Sequence, residues 1–442
     1  MKNFVKINDI IKPFNKTLEI EGDKSLSIRW ALIASQAKGK SRARNLLKSE
    51  DVLNTLECLK KLGVKIKLSK NYCDIFGKGL NQFNYKKNII LNAGNSGTLS
   101  RLILGLLVHS KSNIKIIGDK SLSKRDFFRV INPLKKFGAK IKSNSGKLPI
   151  FIKGTNNPHA IKFHEKIGSA QIKSSIMLAA LNTKGTTTIK TKTSRNHTEL
   201  IYKYLNLPIQ VSKRNRYDLI KVKGKKKIRS LNYEIPSDIS SSAFFIVLTA
   251  LSKNSKLKIK NVNINSTRIG LLKILKKMGV NIKIKNMKIY KGEKKANLIV
   301  ESNKIFKPIN CPVNLNSAAI DEFLLIFLVA AKANGVSYFK KLSELNQKES
   351  PRLIWGSKIL NKIGIKTTLT KDSIKIYGNP KLKLNKNIVI NKFLKDHRVF
   401  MASVIAALTF EGGSWKIFDK DSINTSFPTF ISKIKSLGAK LN

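Results

Sequence analysis

Apolar and polar positions along the chain fall into a recurring block: the end of a helix, one Gly, and an alternating strand. The block reads Leu59-Lys60-Lys61-Leu62-Gly63-Val64-Lys65-Ile66 and returns at Leu134–Ile141, Leu275–Ile282, Leu360–Lys366 and Ile434–Leu441. Its spacing predicts an amphipathic helix closed by a left-handed glycine cap, and the alternation that follows predicts a strand with one covered face. A degenerate copy, Tyr204-Leu205-Asn206-Leu207-Pro208-Ile209, puts Asn206 where the glycine stands elsewhere. The copies recur roughly every 70 to 85 residues, dividing the chain into six units long enough for two helices and several strands each. Turn chemistry at Glu234-Ile235-Pro236-Ser237-Asp238 separates three units from three. Two similar domains are predicted, residues 22–235 and residues 1–21 plus 236–442.

A second pattern lies inside the units. Leu102–Val108, Ile176–Leu181 and Phe323–Ala331 are apolar on nearly every side, so they predict buried helices. Several such helices are introduced by polar or glycine-rich segments: Gly22-Asp23-Lys24-Ser25, Gly94-Asn95-Ser96-Gly97-Thr98, Gly168-Ser169-Ala170-Gln171 and Pro236-Ser237-Asp238. A helix start offers unbonded N–H groups and the positive end of a dipole, which suits phosphates and carboxylates.

Composition sharpens this picture. The 442 residues carry 86 Lys and Arg against 26 Asp and Glu, a formal net charge of +60, yet only 13 of the basic residues are arginine. Six of them, Arg29, Arg101, Arg125, Arg195, Arg352 and Arg398, sit in the short polar motifs that introduce apolar runs. Where lysine is used so freely, arginine points to a need for its planar fork, which grips carboxylate and phosphate bidentately. The lysines are spread along the whole chain with no basic arm and no nucleic-acid-binding signature, so no nucleic-acid partner is expected. The longest apolar stretch, Phe323–Ala331, is far shorter than the roughly 20 residues that span a bilayer, and the N-terminal residues contain no sustained apolar run. The expectation is a cytoplasmic protein without membrane attachment. Three cysteines without CxxC pairing, Cys58, Cys73 and Cys311, fit reduced thiols and no metal site.

Six motifs occur in order: Gly22–Arg29, Leu91–Arg101, Gly118–Arg125, Ser169–Ser174, Lys348–Leu353 and Asp396-His397-Arg398. Together they resemble the 5-enolpyruvylshikimate 3-phosphate (EPSP) synthase family over essentially the whole chain. The resemblance implies an α/β fold of two similar domains, each of three βαβαββ units in an inside-out α/β barrel, with ligands in the interdomain cleft. It implies transfer of the enolpyruvyl group of phosphoenolpyruvate to the 5-hydroxyl of shikimate 3-phosphate, releasing phosphate, on the route to chorismate and the aromatic amino acids. No cofactor is implied, and a monomer is expected.

Residue by residue, the resemblance assigns Lys24, Ser25, Arg29, Ser169, Ala170, Gln171, Arg195, Asp321 and Lys348 to shikimate 3-phosphate. It assigns Lys24, Asn95, Gly97, Thr98, Arg125, Gln171, Arg352 and Arg398 to phosphoenolpyruvate. Asp321 is expected to act as the base on the 5-hydroxyl, Glu349 as the proton donor to the methylene carbon, and Lys24 as a stabiliser of phosphate charge. Two carboxyl groups in different environments suit that pairing of roles. His397, beside an arginine that the reaction needs, is expected to be a positioning or structural residue. Pro351, Asp126 and Ser237 depart from the family pattern, and Asn424–Pro428 lacks the lysine that one branch uses at the ligand. A basic nucleic-acid-binding protein is an alternative that rests on the net charge alone, and the homologous transferase acting on UDP-N-acetylglucosamine is the nearest alternative. It uses a loop cysteine, and Lys111–Arg125 has none.

Overall fold

The structure of the protein is a computed structural model that describes residues 3–215 and 217–442. Met1 and Lys2 of the N-terminal stretch lie outside the described residues, as does Arg216.

The repeating unit is plainest at residues 89–153: strand Ile89–Asn92, helix Gly97–Leu107, strand Ile114–Ile117, helix Phe128–Lys135, then strands Lys140–Asn144 and Lys147–Lys153. The first two strands run parallel, as a helical crossover requires, and the last pair is an antiparallel hairpin that lays its second strand against the second parallel one. Residues 162–223 repeat this order. The block recognised in the sequence is the join between the second helix and the hairpin. Gly63, Gly138, Gly279, Gly364 and Gly438 all take positive φ there, between 84° and 102°, and Asn206 does the same at 53°. After Gly438 no strand forms; Asn442 instead exchanges backbone hydrogen bonds of 2.9 and 3.2 Å with Lys6.

Some repeats are completed by strands distant in sequence. Asn15–Leu18 pairs in parallel with Lys256–Asn263, and Phe4–Ile7 pairs antiparallel with Trp415–Phe418. Ile228–Arg229 and Tyr233–Glu234 both return to pair with Ala37–Arg44. The chain divides accordingly into two compact units. One is Glu21–Pro236 with Ile289–Glu293; the other is Met1–Ile20, Ser237–Lys288 and Lys294–Asn442. The short segment Ile289–Glu293, placed by the sequence with residues 236–442, therefore groups with Glu21–Pro236. Its side chains explain why: Tyr290 packs edge-on against Tyr233 at 5.5 Å, and the Tyr290 hydroxyl accepts the Glu234 N–H at 3.0 Å.

Each unit has its own apolar core, built on three helices that are buried almost all round. They are Lys24–Ala34, Gly97–Leu107 and Ala170–Leu181 in one, and Ile239–Leu251, Phe323–Ala331 and His397–Thr409 in the other. A Cβ on Gly105 would lie 2.1 Å from the Ser175 carbonyl oxygen, so only glycine lets the second and third helices of the first unit cross so closely. Because their flanks are apolar, these helices have polar chemistry mainly at their starts. Asp23, Ser96, Ser169, Asp238 and Asp396 cap five of the six, accepting N–H groups two or three residues on, each worth about 1 kcal/mol. Among the described residues, no helix is long and apolar enough to cross a membrane.

Candidate active site

In the first unit the three capped helix starts gather most of the residues expected to bind substrate. Arg29, one turn into its helix and only 4% exposed, donates from Nε to Thr198 Oγ1 at 3.0 Å and from Nη2 to Ser174 Oγ at 3.2 Å. Its Nη1 donates to the Ser25 carbonyl at 3.1 Å. Ser25, Arg29, Ser174 and Thr198 thus tie three helix starts into one polar cluster. A second cluster adjoins it on the helix Gly97–Leu107. Gln171 donates to Thr98 Oγ1 at 3.1 Å while its amide oxygen accepts Arg101 at 2.8 Å. Arg125 donates to Asn95 Oδ1 at 2.9 Å, and a Cβ on Gly97 would meet the ends of Arg125 and Arg101 at 3.0 and 3.1 Å. Two guanidinium groups therefore converge over the start of one helix, where the dipole is also positive.

Lys24 reaches Asp51 Oδ2 at 2.8 Å, a partner from the start of the helix Glu50–Lys61. Ser169 and Ala170 form the N-cap and first residue of their helix. Arg195 is half-buried in the segment leading into the helix His197–Tyr204. That segment is held by a buried ion pair, Lys173 to Glu199 at 2.6 Å, and by a buried hydrogen bond between His197 Nδ1 and Glu293 at 2.6 Å.

The second unit gathers the expected chemistry around one arginine. Arg352 is 2% exposed and meets Asp396 through Nε at 2.9 Å and Nη2 at 3.2 Å, Asp321 through Nη1 at 3.4 Å, and Glu349 through Nη2. Lys348 adds a contact to Asp321 at 3.3 Å, and Arg398 donates to the Asp321 carbonyl at 2.8 Å. Burial opposes the charge on Arg352, but the carboxylates around it hold its pKa above the ordinary arginine value. Burial likewise opposes ionisation of Asp396, and Arg352 overcomes it, holding the Asp396 carboxyl below the usual carboxylate range. The result is a pair of largely buried carboxylates, Asp321 and Glu349, linked by one guanidinium and flanked by two more cations. Such an arrangement can exchange protons with a ligand while holding its anionic groups.

Several members of these networks were not singled out as functional from the sequence. Asp51 looks like any acid in a first helical turn, and Glu293 lies in a hairpin far from the motifs. Lys173 did carry a signal, since a lysine within the run Ala170–Leu181 must be buried with a partner. In the second unit Arg268 donates to Ser240 Oγ at 2.8 Å, and Ser240 donates to Glu322 at 2.5 Å, at the start of the helix that follows Asp321. His397 is buried with Nδ1 3.4 Å from Thr425 Oγ1. Burial pushes the Cys58 and Cys73 thiols up to about 12 and Cys311 up to about 11, so none is poised as a nucleophile.

The family model described as EPSP synthase (3-phosphoshikimate 1-carboxyvinyltransferase) matches residues 8–434. A 3-phosphoshikimate 1-carboxyvinyltransferase of Ruthia magnifica subsp. Calyptogena magnifica is 40% identical over 98% of both chains. One from Bacillus cytotoxicus is 36% identical, covering 96% of this chain and 98% of its own. A solved EPSP synthase from Acinetobacter baumannii superposes with a TM-score of 0.87 at 32% identity, covering 99% of each chain. The enolpyruvyl transferase NikO of Streptomyces tendae, at 13% identity and a TM-score of 0.77, shares the fold. Matched over nearly its full length, the chain belongs to the EPSP synthase (3-phosphoshikimate 1-carboxyvinyltransferase) family.

Proposed function

We propose that this chain transfers the enolpyruvyl group of phosphoenolpyruvate to the 5-hydroxyl of shikimate 3-phosphate by the residues described above. The observation that carries the assignment of roles is the linkage of Asp321 and Glu349 through Arg352. Addition of the hydroxyl to C2 of phosphoenolpyruvate needs a proton delivered to the methylene carbon and a proton removed from the hydroxyl. Glu349 supplies the first and Asp321 accepts the second. The product keeps its methylene group, so the added proton must leave again as the C–O bond to phosphate breaks, and Glu349 takes it back.

Substrate binding follows the charge. Arg29 and Arg195, with the helix start at Ser169–Gln171 and with Lys24 and Ser25, bind shikimate 3-phosphate. Asn95, Gly97, Thr98, Arg125, Gln171 and Lys24 receive the phosphate of phosphoenolpyruvate, Lys24 stabilising it as it departs. Arg352 and Arg398 bind the carboxylate, and Lys348 holds Asp321 and the 5-hydroxyl end of shikimate 3-phosphate. The enzyme acts in the cytoplasm as a monomer. Phosphate release, followed with a coupled assay, tests the reaction: it must require both substrates together. Release from phosphoenolpyruvate alone, or with UDP-N-acetylglucosamine in place of shikimate 3-phosphate, overturns the proposal.

A further inference from the structure

Lys173 is fully buried, at 0% exposure, in the fourth position of the helix Ala170–Leu181. A buried ammonium is tolerated only with a charged partner and further hydrogen bonds. Lys173 has both. Its Nζ lies 2.6 Å from Glu199 Oε1 and donates to the Ser194 carbonyl at 3.3 Å. Those two contacts bracket residues 195–198: Ser194 is immediately before Arg195, and Glu199 lies one residue beyond Thr198, the partner of Arg29. One ammonium thus fixes both ends of a short segment that carries Arg195 at its start and completes the Arg29 cluster at its end. An apolar contact could join the two helices equally well, and without desolvating two charges. What the ion pair adds is direction, since the ammonium must face the Ser194 carbonyl and the Glu199 carboxylate together.

We infer that Lys173 and Glu199 are positioning residues for shikimate 3-phosphate, acting through Arg195. The inference rests on the proposed role of Arg195 in binding that substrate. Removing the charge of Glu199 leaves Lys173 without its counter-ion, lets the segment shift, and weakens the grip on shikimate 3-phosphate while leaving the phosphoenolpyruvate residues Asn95, Gly97 and Arg125 in place.

The test is a double-mutant cycle on KM for each substrate, using Glu199→Gln, Arg195→Ala and their combination. Glu199→Gln is expected to raise KM for shikimate 3-phosphate about tenfold and KM for phosphoenolpyruvate less than twofold. In the Arg195→Ala background the same change should add nothing, because the residue it positions is gone. If its full effect persists there, the pair does not act through Arg195 and the inference is overturned. If Arg195→Ala alone leaves KM for shikimate 3-phosphate unchanged, the binding role of Arg195 fails and the inference falls with it. Should Glu199→Gln not fold, the apolar pair Lys173→Met with Glu199→Leu, which leaves no charge buried, takes its place in the cycle. A folded apolar pair with the original KM values, or loss of the fold in both variants, would reduce the ion pair to a purely structural element.

Discussion

Arg352 and Asp396, 44 residues apart, form a bidentate pair in which the carboxylate also accepts the Ser350 N–H and hydroxyl and the N–H of Arg398. Five donors on one carboxylate more than fill its roughly four lone-pair sites, so protonation would break bonds that have no substitute. Asp396 therefore joins two motifs: it caps the helix bearing Arg398 and orients the guanidinium that contacts Asp321 and Glu349.

Asp396→Asn should destabilise the protein at neutral pH by about 3 kcal/mol, because it leaves Arg352 short of a buried counter-ion. The folded pKa of Asp396 is depressed, so its contribution is present above the unfolded carboxyl value of about 3.9 and is lost as pH falls through the lower folded value. Urea unfolding of both proteins across the acid range measures this. The difference between them should narrow below about pH 4; a constant difference would show that the charge of Asp396 is not what matters.

For Asp321→Asn, substrate binding should persist while kcat falls by about a hundredfold or more, since an amide still hydrogen-bonds but cannot take the hydroxyl proton. Lys348 and Arg352 both contact the carboxylate, so the variant also tests whether their charge needs it. Steady-state rates with a direct binding measurement separate the outcomes. Loss of binding with unchanged turnover at saturation would make Asp321 a positioning residue.

Gly97→Ala should raise KM for phosphoenolpyruvate several-fold and leave that for shikimate 3-phosphate nearly unchanged. The added methyl would press on Arg125 and Arg101 at about 3 Å, and both must move outward from the helix start. Arg125→Lys should mimic the loss, as a single ammonium cannot reproduce the fork. An unchanged KM for phosphoenolpyruvate in the Ala variant would remove Gly97 from the binding surface.

Much of this protein was legible in the sequence because the relevant physics is local. A glycine cap, an N-cap and an apolar run act within a few residues, so the repeats marked by Gly63, Gly138 and Gly438 and the helix starts at Asp23, Ser96 and Asp396 could be read directly. The arginines stood out for the same reason, as costly choices in a lysine-rich chain. Tertiary structure alone decided who meets whom. Asp51 for Lys24, Glu293 for His197, Glu199 for Lys173 and the strand Asn15–Leu18 beside Lys256–Asn263 are joined across long sequence separations. A buried charge or an unpaired strand edge states that a partner must exist, but its identity depends on how the whole chain packs.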